Sequence, residues 1–151
     1  MHVVLFQPEI PPNTGNVARL CAAMQVSLHL IEPLGFKLED RYLKRAGLDY
    51  WPHVDMAVWP ALDAYIRNAG AGRRLVLTSA RRGAALHRFE FTENDSLVFG
   101  RETSGLPPEV IGLSPHHVRI PIKGEVRSIN LSTAAGIVLF QALVSAGLVG
   151  E

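Results

Sequence analysis

The sequence predicts an α/β fold: a parallel sheet of about six strands with helices on both of its faces. Short apolar runs alternate along the chain with segments of helical spacing, which is the pattern of right-handed βαβ units. The runs are continuously apolar, as in strands that are buried on both faces. The 151 residues, 48% of them hydrophobic, are enough for one domain, residues 1–151, with a sizeable core.

The apolar runs predict six strands, at residues 3–6, 27–31, 54–59, 75–78, 96–99 and 120–122. The helix after the first strand begins behind an N-cap at Asn13 or Thr14 and has apolar residues at i, i+3, i+4 and i+7. Further helices are predicted at residues 38–46, from Pro60 to near Gly70, around Glu109, and behind Ser128 and Asn130.

Composition excludes several classes of protein. The formal net charge is only +1, so a contact with nucleic acid should be a local patch and not a uniformly basic surface. The single cysteine, Cys21, excludes an internal disulfide and fits a reducing compartment. Residues 131–150 are uncharged and about long enough to span a bilayer. Because a helix in a core or a subunit interface is also apolar all round, we expect that arrangement and no membrane contact.

Three polar loops follow predicted strands, at residues 13–19, 100–108 and 123–130. Each alone could be a capped connection, but the carboxyl ends of parallel strands lie together and commonly bind ligands. The chain has no phosphate-binding P-loop, dinucleotide fingerprint or nucleophile elbow. Its histidines lack the spacing of metal ligands, so no metal site is expected, and His116 and His117 are predicted to lie on a loop beside Pro115.

The three loops resemble the signature motifs of the SPOUT-class RNA methyltransferases. The matching segments are N-T-G-N-V-A-R (13–19), L-V-F-G-R-E-T-S-G-L-P (97–107) and R-I-P-I followed by R-S-I-N-L-S and an alanine (119–134). Within that class the chain is similar to TrmH-like 2′-O-methyltransferases. P-E-I-P-P-N-T-G-N (8–16) and R-A-G-L-D-Y (45–50) resemble the TrmL subgroup, which methylates the wobble cytidine or uridine of tRNA.

The resemblance implies a C-terminal trefoil knot, bound S-adenosylmethionine without a metal, a tRNA substrate, a homodimer and a cytoplasmic location. By position in the motifs, the catalytic residues would be Asn13, Arg19, Glu102, Ser128 and Asn130. The cofactor would be held by Leu77, Gly100, Ile120, Ser128 and Leu131, largely through backbone groups. We expect Arg19 to bind the phosphate beside the target ribose and stabilise the alkoxide, because a guanidinium barely deprotonates. Glu102 would orient Arg19 or the helix ends, and Asn130 would hold the hydroxyl or the loop.

Basic and aromatic side chains are the candidates for contact with RNA. They are Arg41, Lys44, Arg45, Arg81, Arg82, Lys123 and Arg127, with Tyr50 or Trp51 stacking on a base. Two departures from the subgroup bear on the RNA target. The chain has Arg101-Glu102-Thr103-Ser104 where the subgroup usually has P-E-T-R, and Phe140 replaces a tyrosine on the last helix.

Three alternatives stay open at this point. The first is a 2′-O-methyltransferase for another tRNA position or for ribosomal RNA. The second is a non-catalytic module that binds RNA or a nucleotide with the same loops, and the third is a flavodoxin-like nucleotide protein.

Overall fold

A seven-stranded parallel sheet lies at the centre of residues 1–39 and 51–150, which are the residues that the computed structural model describes. Its strands are β1 (His2–Phe6), β2 (Ser27–Ile31), β3 (Met56–Trp59), β4 (Arg74–Thr78), β5 (Ala84–Ala85), β6 (Asp95–Phe99) and β7 (His117–Arg119). They are ordered β3-β2-β1-β6-β4-β7-β5. After β3 the chain crosses to the other side of β1, and such a change of direction creates a crevice at the carboxyl ends of the strands.

Helices cover both faces of the sheet, as predicted. They are α1 (Pro11–Met24), α2 (Leu62–Arg67), α3 (Pro108–Ile111) and α4 (Leu131–Ser145), with single 3-10 turns at Trp51–His53 and Leu86–Arg88. Along β1, Val3 and Leu5 pack in the core with α1 and α4, whereas Val4 and Phe6 pack with α2 and α3. Both sets are buried, which explains why the strand is apolar throughout.

The last predicted strand is wrong in its position. The strand is His117–Arg119 and not residues 120–122. It lies between β4 and β5, and Pro121 just beyond it has no N–H with which to continue a ladder. His117, predicted to lie on a loop, is therefore a strand residue. The neighbouring β5 has only two residues, which is too few for a recognisable pattern in the sequence.

The start of α1 also differs from the prediction. The helix begins at Pro11, and its N-cap is Ile10, so neither Asn13 nor Thr14 caps it. Proline is favoured in the first turn because the N–H that it lacks has no partner there. The side chain of Asn13 is thus available for other contacts. At α4 the prediction is confirmed for Asn130, whose side-chain oxygen accepts from the N–H groups of Ser132 and Thr133.

Three further predictions concern the helix at residues 38–46, the membrane and the knot. The predicted helix at residues 38–46 lies mostly outside the described residues, and residues 38 and 39 form a turn. Within the described ranges, no helix has both the length and the apolar character needed to cross a bilayer, and α4 has 15 residues. The trefoil knot stays a prediction.

Candidate active site

A cleft of about 700 Å³ lies at the carboxyl ends of β1, β4, β6 and β7. The loops that follow all four strands contribute to it, including the three that were predicted to converge. Polar lining comes mainly from Asn13, residues 79–82, residues 100–105 and residues 127–130. Ile111, Ile120, Ile122, Leu131 and Val138 add an apolar surface. This combination of apolar walls with a few polar groups, at this size, is typical of sites for small organic ligands.

Three side chains from distant segments form a hydrogen-bonded chain beside the cleft, called here the cleft network. Asn13 Nδ2 donates to Glu102 Oε2 at 3.4 Å, and Asn130 Nδ2 donates to Asn13 Oδ1 at 3.0 Å. Because Asn130 Oδ1 accepts from the first turn of α4, the orientation of both amides follows from their partners. The network fixes the start of α1, the loop after β6 and the start of α4 relative to one another.

The carboxylate of Glu102 also accepts hydrogen bonds from the backbone next to the cleft. Its oxygens accept from the backbone N–H groups of Glu9 at 3.0 Å and Ile10 at 2.7 Å. Ile10 is the N-cap of α1, where donors have no partner within the helix. Glu102 therefore binds the end of a helix, which is one of the two roles predicted for it.

Glu9 is a residue of this site that the sequence analysis did not assign. Its carboxylate accepts from the N–H of Thr103 at 3.1 Å and from the Thr103 hydroxyl at 2.8 Å. These bonds lower the pKa of the Glu9 carboxyl. The segments 9–10 and 102–103 thus hold each other reciprocally. The acid lies inside the matched motif at 8–16, but nothing in the sequence indicated its partner.

The loop after β6 is closed on itself. Arg101 N donates to Gly105 O, and Gly105 N donates to Arg101 O, at 3.2 and 2.9 Å. A Cβ on Gly100 would lie 2.4 Å from the Gly105 carbonyl carbon and 2.5 Å from Leu106 N, so only glycine fits there. The close approach of Gly100 to Gly105 and Leu106 therefore sets the path of this loop where it lines the cleft.

Comparison with known proteins places this arrangement in a family. Residues 1–140 match the SpoU rRNA Methylase family. The chain belongs to this family. A relative from Methylovorus glucosotrophus, named tRNA (cytidine(34)-2′-O)-methyltransferase, is 48% identical over 145 residues, covering 93% of this chain and 92% of its own. The match gives no support to the flavodoxin-like alternative.

Solved structures of related proteins have the same fold. One that concerns the 2-OH methylation of C/U34 on tRNA superposes with a TM-score of 0.91 at 48% identity, over 95% of this chain and 94% of its own. An AdoMet-bound rRNA methyltransferase from Sinorhizobium meliloti superposes with a TM-score of 0.88 at 25% identity. That match covers 99% of this chain and 57% of the other.

The predicted site residues of this SpoU family member do not all reach the cleft. Those that line it are Asn13, Gly100, Glu102, Ile120, Ser128, Asn130 and Leu131. Leu77 does not, because it is fully buried on the face of the sheet that packs with α2 and α3. The next residue, Thr78, lines the cleft in its place. Arg19 is exposed on α1 and is not among the cleft residues.

The predicted RNA-binding residues divide into three groups. Arg81, Arg82 and Arg127 line the cleft, and Lys123 is exposed in the loop after β7. Arg41, Lys44, Arg45 and Tyr50 lie outside the described residues. The expectation for Trp51 concerns its side chain and stays a prediction.

The two departures from the subgroup have different surroundings. Arg101 donates from its guanidinium to Gln7 Oε1 and lies 5.2 Å from the centre of the Phe6 ring, so its charge is bound to the end of β1. Ser104 lines the cleft and is exposed. Phe140 is half exposed on α4 and is not a cleft residue. The tyrosine hydroxyl of the subgroup, which Phe140 lacks, would therefore lie on a surface other than the cleft.

Metal ligands and a reactive thiol do not form part of the described site. Among residues 1–39 and 51–150, no group of three His, Cys, Asp or Glu side chains could hold a metal ion. Cys21 is buried on α1, and burial raises the pKa of its thiol to about 12. A neutral thiol is a poor nucleophile, so Cys21 contributes to packing.

Proposed function

We propose that this protein transfers a methyl group from S-adenosylmethionine to the ribose 2′-hydroxyl of nucleotide 34 of a tRNA. The observation that carries the proposal is the cleft network, because Asn13, Glu102 and Asn130 come from the three segments with methyltransferase motifs. The relative and the solved structure at 48% identity, each matched over more than nine-tenths of this chain, supply the substrate.

The residues of the cleft fit the cofactor. Its volume suits a nucleoside joined to an amino acid, and its isoleucines and Leu131 provide apolar walls for an adenine ring. Gly100, Ile120, Ser128 and Leu131 would hold it, with Thr78 at the position expected of Leu77. When bound, the cofactor would supply a methyl group on a sulfonium: the bond from sulfur to the methyl group would break as the bond to the ribose 2′-oxygen forms. S-adenosylhomocysteine would leave as a neutral thioether, and the hydroxyl proton would pass to solvent.

The chain's own residues position the ribose and exclude water. Opposite charges disappear as the methyl group moves, so an apolar cleft favours the transition state, and alignment of the reactants supplies much of the remaining effect. Glu102 holds Asn13 and the start of α1, and Asn130 holds Asn13 from the other side. The role predicted for Arg19, which is to bind the phosphate beside the ribose and stabilise the developing alkoxide as a permanent cation, stays a prediction, because Arg19 does not line this cleft.

A homodimer completes this proposal. One side of α4 packs in the core through Ala135, Leu139 and Ala142, but Phe140 and Val144 on its other side are each about half exposed. Ile137 and Leu148 extend this apolar surface. An apolar surface on the outside of a helix that is already packed fits a contact between two copies.

Sedimentation velocity tests the dimer. Phe140→Lys with Val144→Lys should convert a dimer into a monomer, because two buried charges would be left unpaired. Leu113→Lys is the matched control, since Leu113 is 53% exposed but belongs to the turn after α3. A wild type that sediments as a monomer at micromolar concentration would contradict the dimer and leave the reaction untouched.

The proposal also covers the number of domains and the location of the enzyme in the cell. Residues 1–151 would form one domain, because one sheet connects elements from residue 2 to residue 119 and α4 packs on it. The enzyme would act in the cytoplasm, where a buried free cysteine stays reduced.

Methyl transfer to purified RNA tests the function. The protein is incubated with methyl-labelled S-adenosylmethionine and with tRNA or ribosomal RNA, and the modified nucleotide is located by nuclease digestion and mass spectrometry. A 2′-O-methyl group at nucleotide 34 is expected. Methylation of another position, or of ribosomal RNA, would favour that alternative, to which the family description also points. Binding of both ligands without transfer would favour a non-catalytic module.

A further inference from the structure

The turn from Ser79 to Gly83 is fastened at both ends to the strand beside it. Ser79 N donates to Val118 O at 3.0 Å, and Ala84 pairs with Val118 where β5 begins. Gly83 has a φ of +91°, and a Cβ there would lie 2.1 Å from the His117 carbonyl oxygen. Only glycine permits this close approach, so the contact restricts the backbone conformation of the turn.

A single hydroxyl fixes the middle of the turn. Ser79 Oγ accepts from the backbone N–H groups of Arg81 and Arg82, both at 3.2 Å. A serine that bonds the backbone two and three residues further on stabilises a tight turn. The backbone of both arginines is thereby set before any ligand arrives.

The two arginine side chains extend from this fixed backbone into open space. Both are exposed and line the cleft. In the described parts of the chain, the ion pairs are Arg67 with Asp63 and Arg74 with Asp95, and neither involves these arginines. Arg74, by contrast, is bound by two charge-assisted bonds to Asp95, at 2.7 and 2.8 Å.

The local charge of the cleft favours an anion near this turn. Arg127, from the loop before α4, lines the same cleft. The carboxylate in the lining is that of Glu102, and it already accepts bonds from two backbone N–H groups and an amide. A guanidinium presents two parallel donors that match two oxygens of a phosphate.

We propose that the Ser79–Gly83 turn binds a backbone phosphate of the RNA, and that Ser79 is a positioning residue acting through Arg81 and Arg82. This inference rests on the proposed function, since it concerns the RNA that the cleft receives. A preformed turn loses less freedom on binding than a mobile loop, so removal of the hydroxyl weakens binding without removing a charge.

The test measures tRNA affinity by fluorescence anisotropy over a range of salt concentrations. Arg81→Gln with Arg82→Gln should raise the Kd for tRNA about tenfold and reduce the log–log salt slope by about 0.7, the value for one lost phosphate contact. Ser79→Ala should raise the Kd about fourfold and leave the slope within about 0.3 of wild type. Ser79→Thr, which keeps the hydroxyl, should restore binding to within about twofold of wild type.

Arg88→Gln is the matched control, because Arg88 is exposed nearby but does not line the cleft. Its Kd should equal that of the wild type. Adding Ser79→Ala to the double arginine variant should cause no further loss if the hydroxyl acts through the arginines. The Kd for S-adenosylmethionine, measured by calorimetry, should stay within about twofold in every variant.

Different results separate this inference from the proposed function. Wild-type affinity in Ser79→Ala, or additive losses in the triple variant, would overturn the positioning role. A double arginine variant that binds tRNA with an unchanged salt slope would overturn the phosphate contact, while methylation by the wild type would still support the proposed function. A wild type that neither binds nor methylates RNA would end both.

Discussion

The cleft network, at the carboxyl ends of the strands, and a cluster on the face of the sheet that packs with α2 are both built from polar side chains, but their surroundings differ. The cluster, called here the histidine cluster, consists of His2, His29, Trp59, Tyr65 and Ser96. Tyr65 Oη lies 2.9 Å from His2 Nδ1 and 2.6 Å from Ser96 Oγ, and Trp59 Nε1 donates to His29 Nδ1 at 3.0 Å. Its rings pack on one another under α2, whereas the cleft network faces a cavity.

The surroundings of His2 and His29 lower the pKa of both rings. Burial, followed by the charge of Arg73, lowers the pKa of His2 to about 4. Burial also lowers the pKa of His29 to about 4, against the opposing effect of Asp55. Both rings are therefore neutral near pH 7. We therefore expect the histidine cluster to serve stability and the cleft network to serve binding. The predictions below are ordered by the size of the expected effect.

The largest effect is expected at Gly100. Gly100→Ala places a Cβ within 2.4 to 2.7 Å of three backbone atoms, so the loop after β6 must move. We expect a loss of roughly 2–4 kcal/mol in the free energy of unfolding and loss of methyl transfer. Chemical denaturation and the transfer assay measure both. Gly124→Ala is the control, because a Cβ there meets nothing within 4 Å. Equal behaviour of the two variants would contradict the close packing of this loop.

A slightly smaller effect is expected in the pH dependence of stability, which should depend on the histidine cluster and not on the cleft. The folded pKa of about 4 lies below the ordinary value of 6.5, so the unfolded chain binds more protons between these pH values. Stability should be full above pH 6.5 and fall as the pH drops towards 4, by roughly 3 kcal/mol for His29.

Urea unfolding at several pH values measures this dependence. His29→Phe should remove the share of this dependence that comes from His29, with the share of His2 remaining, and leave methyl transfer at pH 8 unchanged within about twofold. An unchanged slope in that variant would show that other groups carry the pH dependence. A large loss of transfer would show that the cluster is not separate from the active site.

Glu102 should show the reverse pattern, with a greater effect on activity than on stability. Glu102→Ala leaves two backbone donors and the Asn13 amide without their acceptor, a cost of about 1–3 kcal/mol. We expect kcat to fall about 100-fold, as misalignment of a site does. Glu109→Ala, at an exposed carboxylate of α3, is the control. If Glu102→Ala kept normal kcat, the network would be structural only.

The smallest effect is expected at the pair of Glu9 and Thr103. Glu9→Gln keeps one acceptor oxygen but loses the charge, so kcat should fall about threefold. Thr103→Val should cause a similar loss, and the double variant should be no worse than either single one. Losses that multiply in the double variant would show that the two residues act independently.

The sequence was most informative where a local pattern determines a local structure. Apolar runs located five of the strands, and the side chain of Asn130 predicted its cap on α4. The polar ends of these strands predicted that Asn13, Gly100 and Ser128 would line one site, because parallel strands bring such ends together.

The sequence did not predict features that depend on contacts between residues far apart in the chain. Glu9 and Thr103 are 94 residues apart in the chain, and no local pattern connects them. The run at residues 120–122 has strand-forming residues, but the position of β7 is set by its pairing with β4 and β5. Asn13 has the composition of a cap, yet two prolines already start α1, and its amide joins the cleft network instead.

The most direct test of the central claim is where the methyl donor binds. Amide chemical shifts of the 15N-labelled protein are mapped while S-adenosylmethionine is added. We expect the changes to concentrate at Thr78 and in residues 100–106 and 120–131, with little change at His2, His29 or α2. Changes centred on the histidine cluster, or an absence of any change at millimolar cofactor, would contradict the claim that the loops at the carboxyl ends of the strands form the active site.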